Sequence, residues 1–186
     1  MSKKTEKVVL LGKSGSGKDY LMRKLVEKDM LGCIKTTTRP QRKHEIQWVT
    51  YEFVADWTFK ERIENDEFLC YQTFNVTPLN KDPETWYYGI TKEEFERAQV
   101  FIMTPAEFYS IKLDDELRKK LFVVYIDIER SVREGRVIKR ADQNDSVKRR
   151  MDADDIDFSE FDKTGDYDLR IGDPEFNADD IYDLMF

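Results

Sequence analysis

Apolar residues come in short blocks along this chain, and the blocks alternate in period. Val8-Val9-Leu10-Leu11 is a continuous apolar run of strand length, and Tyr20, Leu21, Met22, Leu25 and Val26 follow at helical spacing. That is the pattern of a buried strand feeding an amphipathic helix. The helix is expected to reach about Lys28 or Asp29 before Gly32 breaks it. Residues 48–54 alternate and are rich in β-formers, so they predict a strand. Asp56 is expected to cap a helix carrying Trp57, Phe59 and Ile63 and ending near Asn65. Residues 68–74 read as a strand and 75–85, with Pro78, Asn80 and Pro83, as a loop. Thr91, with Glu94 three residues on, has the signature of a helix cap. Residues 100–103 form a buried-strand candidate, Pro105 opens a helix, and 121–126 is the strongest strand signal. Helices from Glu129 and Ser146, a short strand over 167–171 and a helix over 178–185 complete the pattern. Strands alternating with helices predict an α/β fold, a parallel sheet flanked by helices.

The first strand and helix are joined by Gly12-Lys13-Ser14-Gly15-Ser16-Gly17-Lys18-Asp19, which holds three of the chain's 8 glycines. Clustered glycines let backbone N–H groups turn inward, and with the helix start behind them they form a concave anion site. Lys18 then reaches outer phosphates. The pattern G-x-x-x-x-G-K-[ST] is met except at its last position. Asp19 stands where a hydroxyl normally reaches Mg²⁺, and a carboxylate can also bind Mg²⁺. A plain Gly-rich turn is the alternative. In an open α/β sheet the ligand sits at the carboxyl ends of the strands, where this loop lies.

Composition narrows the choices. The chain has 186 residues, 37% of them charged, and a formal net charge of −7. That balance argues against bulk nucleic-acid binding, which calls for a basic footprint. Two cysteines and one histidine argue against a disulfide framework, a zinc site or a histidine-based triad. No apolar run approaches membrane-spanning length, and the basic N-terminus lacks the apolar segment of a signal peptide. A reduced, cytoplasmic setting is expected. Against the acidic background two basic stretches stand out. Arg39 and Arg42 lie three apart in a Pro-containing segment, which suits either a loop gripping an anion or a solvated basic loop. Arg136 and Arg140 share a helix face, and Lys148, Arg149 and Arg150 follow after a turn-prone break. These are either a solvated face or groups that close over a nucleotide.

Taken in order, the phosphate loop, Thr37-Thr38-Arg39 followed by Arg42, Tyr51 and Phe53 two apart, Tyr88-Gly89, and the arginine-rich helices resemble guanylate kinase and its relatives over nearly the whole chain. The resemblance implies a core sheet (5–34, 98–130 and 160–186), a nucleotide-monophosphate-binding region (35–97) and a lid (131–159). It implies ATP and Mg²⁺ as partners of the loop residues Gly12, Lys13, Ser14, Gly15, Ser16, Gly17, Lys18 and Asp19, with Asp19 on the metal. Lys13 replaces a usual proline. Arg39, Arg42, Tyr51 and Tyr88 match residues that grip the acceptor monophosphate. Arg136 and Arg140 match the lid arginines, and Arg150 the arginine of the following helix.

Departures cluster where the base is read. Cys70 falls where the family has the glutamate that reads guanine, and Ile90 where a Ser or Thr contacts the base. Neither accepts the hydrogen bonds that guanine's N–H groups offer, and a site built on such bonds can discriminate by roughly 10⁴–10⁵-fold. Met103-Thr104-Pro105 replaces an Asp-containing strand end, Gly172-Asp173 an Asn-Asp pair, and 75–85 looks inserted. The expected activity is ATP-dependent transfer to a nucleoside monophosphate, with GMP or dGMP read through Gln47, Gln72 or Thr73, or with another or a modified base. A non-catalytic binding module of the same fold and a kinase for another small acceptor are the alternatives.

Overall fold

The computed structural model describes residues 7–43, 45–76, 82–112, 114–139 and 147–185. In chain order the elements are β1 (Lys7–Leu11), α1 (Lys18–Val26), β2 (Thr36–Thr37), β3 (Glu52–Phe53), α2 (Asp56–Glu64), β4 (Phe68–Val76), β5 (Glu84–Thr91), α3 (Lys92–Arg97) and β6 (Val100–Ile102). Then follow α4 (Pro105–Lys112), α5 (Asp115–Lys120), β7 (Leu121–Ile126), α6 (Arg130–Lys139), α7 (Val147–Asp157), α8 (Ser159–Thr164), β8 (Leu169–Ile171) and α9 (Ala178–Met185). The chain divides into two compact units, Met1–Gly32 with Gln99–Phe186, and Cys33–Ala98.

The first unit holds a parallel sheet in the order β6-β1-β7-β8, with Leu10 flanked by Ile102 and Val124. Every residue of β1 is buried, as expected of a strand covered on both faces. On one face Val8, Leu10, Val124, Ile126 and Ile171 pack with Leu21 and Leu25 of α1 and Ile181 of α9. The other face is aromatic: the Tyr125 ring lies 5.1 Å from Phe161, which lies 6.0 Å from Phe108. Pro105 opens α4 behind a reciprocal cap. Thr104 Oγ1 accepts from the Glu107 N–H at 3.2 Å, and a Glu107 carboxylate oxygen accepts from the Thr104 N–H at 2.7 Å. The short helices α5 and α8 were not expected from the pattern. α5 buries no side chain and α8 only Phe161, so neither carries a periodic apolar stripe.

The second unit holds a mixed sheet in the order β3-β2-β5-β4. β4 and β5 form its long antiparallel pair, with Tyr71 opposite Gly89 and Gln72 opposite Tyr88. The pairing runs out to Asn75 with Thr85 and Val76 with Glu84, so much of the expected 75–85 loop is strand; residues 77–81 lie outside the described residues. α2 seats Phe59 against Phe68, stacked at 4.3 Å. This contact explains Gly89, because a Cβ there would meet the Phe68 ring at 2.6 Å and the Phe59 ring at 3.0 Å. α2 starts at Asp56 itself, with Ala55 at the cap position and no side-chain cap. Asp56 instead pairs with Lys60 at 2.7 Å. The Thr91 cap on α3 is present, accepting from the Glu94 N–H at 3.1 Å.

The strand expected over 48–54 shrinks to Glu52–Phe53. Upstream the backbone turns: the N–H groups of Val49 and Thr50 both reach the Ile46 carbonyl, at 3.1 and 3.0 Å. Trp48 sits in this turn with φ 63°, left-handed backbone that disfavours a bulky side chain by roughly 1–2 kcal/mol. Its side chain is 59% exposed and so returns little burial. Trp48→Gly is therefore expected to raise stability by about 0.5–1 kcal/mol, after the entropic penalty of glycine, read as an upward shift of the urea midpoint.

Candidate phosphate-binding site

β1 ends at Leu11, and the chain turns through Gly12-Lys13-Ser14-Gly15-Ser16-Gly17 into α1. Gly15 and Gly17 take φ of 77° and 110°. At Gly15 any Cβ would also strike the Arg133 carbonyl oxygen, at 2.5 Å. Gly17 is the N-cap of α1 and supplies no side-chain cap. Lys18 folds back over the loop: its Nζ donates to the Gly12 carbonyl and, at 3.1 Å, to that of Lys13. That places an ammonium against the backbone of the loop.

Ser16 is wholly buried, and its Oγ has no hydrogen-bond partner. A buried hydroxyl left unsatisfied costs about 1 kcal/mol or more. Ser16→Ala is expected to raise the melting temperature by a stability gain of about 1 kcal/mol, checked by thermal unfolding.

The helices after β7 close on this loop. Arg136, on α6, donates to the Gly15 and Ser16 carbonyls, both at 3.3 Å, and to the Pro174 carbonyl at 2.7 Å. Arg150, on α7, donates through Nε to Ser14 Oγ at 3.0 Å. Arg140 lies outside the described residues. Arg133, which belongs to the basic helix read from the sequence, and three acids that the sequence does not single out, Asp154, Asp155 and Asp162, complete the contacts. Arg133, buried on α6, donates to the Ile128 carbonyl at 2.8 Å and to the Ser14 carbonyl at 3.5 Å. Asp154 accepts from both the N–H and the hydroxyl of Ser14, at 2.7 and 3.2 Å. Lys13 turns to Asp162 and Asp155, at 3.0 and 3.3 Å. Asp154 is four residues after Arg150, so helical spacing carried a signal that both face one target.

Asp19 is exposed in the first turn of α1, where an acid favours the helix dipole whatever else it does. Among the described residues no group of three or more acids, histidines or cysteines could hold a metal ion. Asp19 is the carboxylate at the start of α1, whereas Asp154, Asp155 and Asp162 are engaged by Ser14 and Lys13. Toward phosphate the loop presents the Lys18 ammonium and the Ser14 N–H, the latter bonded to the Asp154 carboxylate.

In the second unit Arg39 is 5% exposed, and its guanidinium meets both Glu45 carboxylate oxygens, at 3.0 and 2.7 Å. It lies 5.3 Å from the centre of the Tyr51 ring, and the Tyr51 ring is 6.1 Å from that of Tyr88. Burial lifts the Tyr88 hydroxyl above its ordinary value, with Arg39 pulling the other way. Arg42 adds its backbone N–H to Glu45 at 2.8 Å, while its side chain is exposed. Arg39, Tyr51 and Tyr88 are thus brought together, and Glu45, which the sequence does not single out, is the anion that Arg39 and the Arg42 N–H hold. Cys70 and Ile90 face each other across β4 and β5 and are buried, at 7% and 0% exposure.

A parallel sheet carrying this loop at the end of its first strand defines a P-loop phosphate-binding fold. The family model described as guanylate kinase matches residues 4–182, and the chain belongs to the guanylate kinase family. It is 41% identical over 94 residues to a guanylate kinase of Sulfurimonas denitrificans, a stretch that is 49% of this chain and 41% of the relative. It is 37% identical over 106 residues to a guanylate kinase of Mesomycoplasma hyopneumoniae, 54% of this chain and 49% of the relative. The matched stretch spans about half the length of these curated relatives or less. The fold is similar to the crystal structure of guanylate kinase from Anaplasma phagocytophilum, with a TM-score of 0.66 at 16% identity, covering 100% of this chain and 86% of that one.

Proposed function

We propose that the protein transfers the terminal phosphoryl group of ATP to a nucleoside monophosphate, giving ADP and a nucleoside diphosphate. The observation that supports this reading is the loop, with glycines in left-handed backbone and Lys18 folded over the Gly12 and Lys13 carbonyls at the start of α1. Membership of the guanylate kinase family supports it. Lys18 neutralises charge on the outer phosphates. Arg136, Arg140 and Arg150 stabilise charge on the transferring group, since positioning and charge neutralisation do most of the work in phosphoryl transfer. Asp19 would be the residue on the Mg²⁺ side of the loop, and the ion would supply neutralisation of phosphate charge.

Arg39, Arg42, Tyr51 and Tyr88 hold the acceptor phosphate, which takes the place of the Glu45 carboxylate or shares Arg39 with it. Cys70 and Ile90 give the acceptor base an apolar floor that cannot accept hydrogen bonds, so its base preference differs from a carboxylate-read guanine. The test is ADP release with ATP and Mg²⁺ against a panel of ribo- and deoxynucleoside monophosphates. Turnover with one or a few acceptors is expected. Equal rates with every acceptor and with none would contradict the assignment.

A further inference from the structure

Ser14 presents two donors to one carboxylate. Its backbone N–H reaches Asp154 Oδ2 at 2.7 Å and its hydroxyl reaches Oδ1 at 3.2 Å. The same hydroxyl accepts from Arg150 Nε at 3.0 Å. Arg150 and Asp154 are four apart on α7 and so both face the loop. Loop N–H groups recognise a phosphate by donating to its anionic oxygens, and a carboxylate offers the same acceptors at the same charge sign. Lys13 does not balance this charge, because its ammonium is engaged by Asp162 and Asp155. An acid placed on a phosphate loop is unfavourable for phosphate unless it moves.

We infer that Asp154 is an internal stand-in for phosphate: its carboxylate occupies the Ser14 end of the loop, and a polyphosphate must displace it to bind fully. This rests on the loop being the ATP site proposed above. When Asp154 leaves, the Ser14 N–H and hydroxyl are both released to the incoming phosphate, beside the Arg150 guanidinium that already donates to that hydroxyl. The apparent affinity is lowered by the fraction of molecules in which Asp154 holds the loop. Ordering of the loop in the absence of nucleotide is the corresponding gain.

The experiment is calorimetric titration of ATP and, separately, of inorganic tripolyphosphate into the wild-type chain, Asp154→Asn, Asp154→Ala and Asp157→Asn, each verified as folded by circular dichroism. Asp157 is exposed on the same helix, so its variant removes the same charge without touching the loop. Both Asp154 variants are expected to bind both ligands about tenfold more tightly, with Asp157→Asn within about twofold of wild type. Equal or weaker binding by the Asp154 variants, with wild-type binding intact, overturns the stand-in role and leaves the ATP site standing. An equal gain in Asp157→Asn overturns it in favour of general repulsion. Absence of ATP binding in every folded chain overturns the ATP site and the stand-in together.

Discussion

Replacing Lys18 by alanine is expected to lower turnover by about 10²–10³-fold, the usual effect of removing one preorganised group that stabilises transition-state charge. The ammonium sits on the Gly12 and Lys13 carbonyls, at a position only partly buried, and no hydrophobic core depends on it. The fold should therefore survive, with a change in melting free energy within about 1 kcal/mol. The informative comparison is with arginine at the same position. A role limited to tethering loop carbonyls would be rescued by arginine, whereas a compact charge aimed at outer phosphates would not. Steady-state rates with saturating ATP, alongside thermal melts of the three proteins, decide between them.

Arg39→Met is expected to fail on two counts. The substitution leaves the Glu45 carboxylate, itself only 16% exposed, without its bidentate partner. Breaking one side of such a pair costs about 3 kcal/mol, read from denaturant midpoints. It also removes the guanidinium assigned to the acceptor phosphate, so the acceptor KM should rise about 10²-fold or more, two charge-assisted hydrogen bonds being lost. A pH series adds a signature. Burial alone pushes the Glu45 carboxyl up, but hydrogen bonds from Arg39 and from the Arg42 N–H outweigh it and hold the group below its ordinary value of 4.5. A carboxylate lowered in the folded state stabilises the protein above its unfolded value and loses that contribution as pH falls through the folded one. Wild type should therefore lose this increment below about pH 4.5, and the Arg39→Met chain should lose less of it over the same window.

Local signals were legible where one physical cause dominated. The phosphate loop could be read because the turn needs glycine at 15 and 17, and the buried strands because a sheet covered on both faces demands unbroken apolar runs. The Thr91 cap and the opening of α4 at Pro105 follow from unsatisfied helix-end groups. The pattern misled at 48–54, where Trp48 and Val49 mimic alternation while standing in solvent. It was silent on α5, which buries no side chain, and on α8, which buries Phe161 alone and so shows no period. Within the site, the basic residues drew attention because they stand out in an acidic chain. Asp154 and Glu45 did not, being two acids among 38. Their importance comes from what they touch, the Ser14 N–H in one unit and the Arg39 guanidinium in the other; the spacing of Arg150 and Asp154 places both on one helix face but does not name the Ser14 N–H as their target.

The most direct test of the account follows the phosphoryl group itself. ATP labelled at its terminal phosphate is incubated with Mg²⁺ and the preferred acceptor from the monophosphate panel, and the products are separated. The account predicts label in a nucleoside diphosphate, little in free phosphate, and none transferred by Lys18→Ala. Label appearing only as free phosphate, or no transfer while ATP and a monophosphate both bind, would contradict it and leave a hydrolase or a binding module with the same fold.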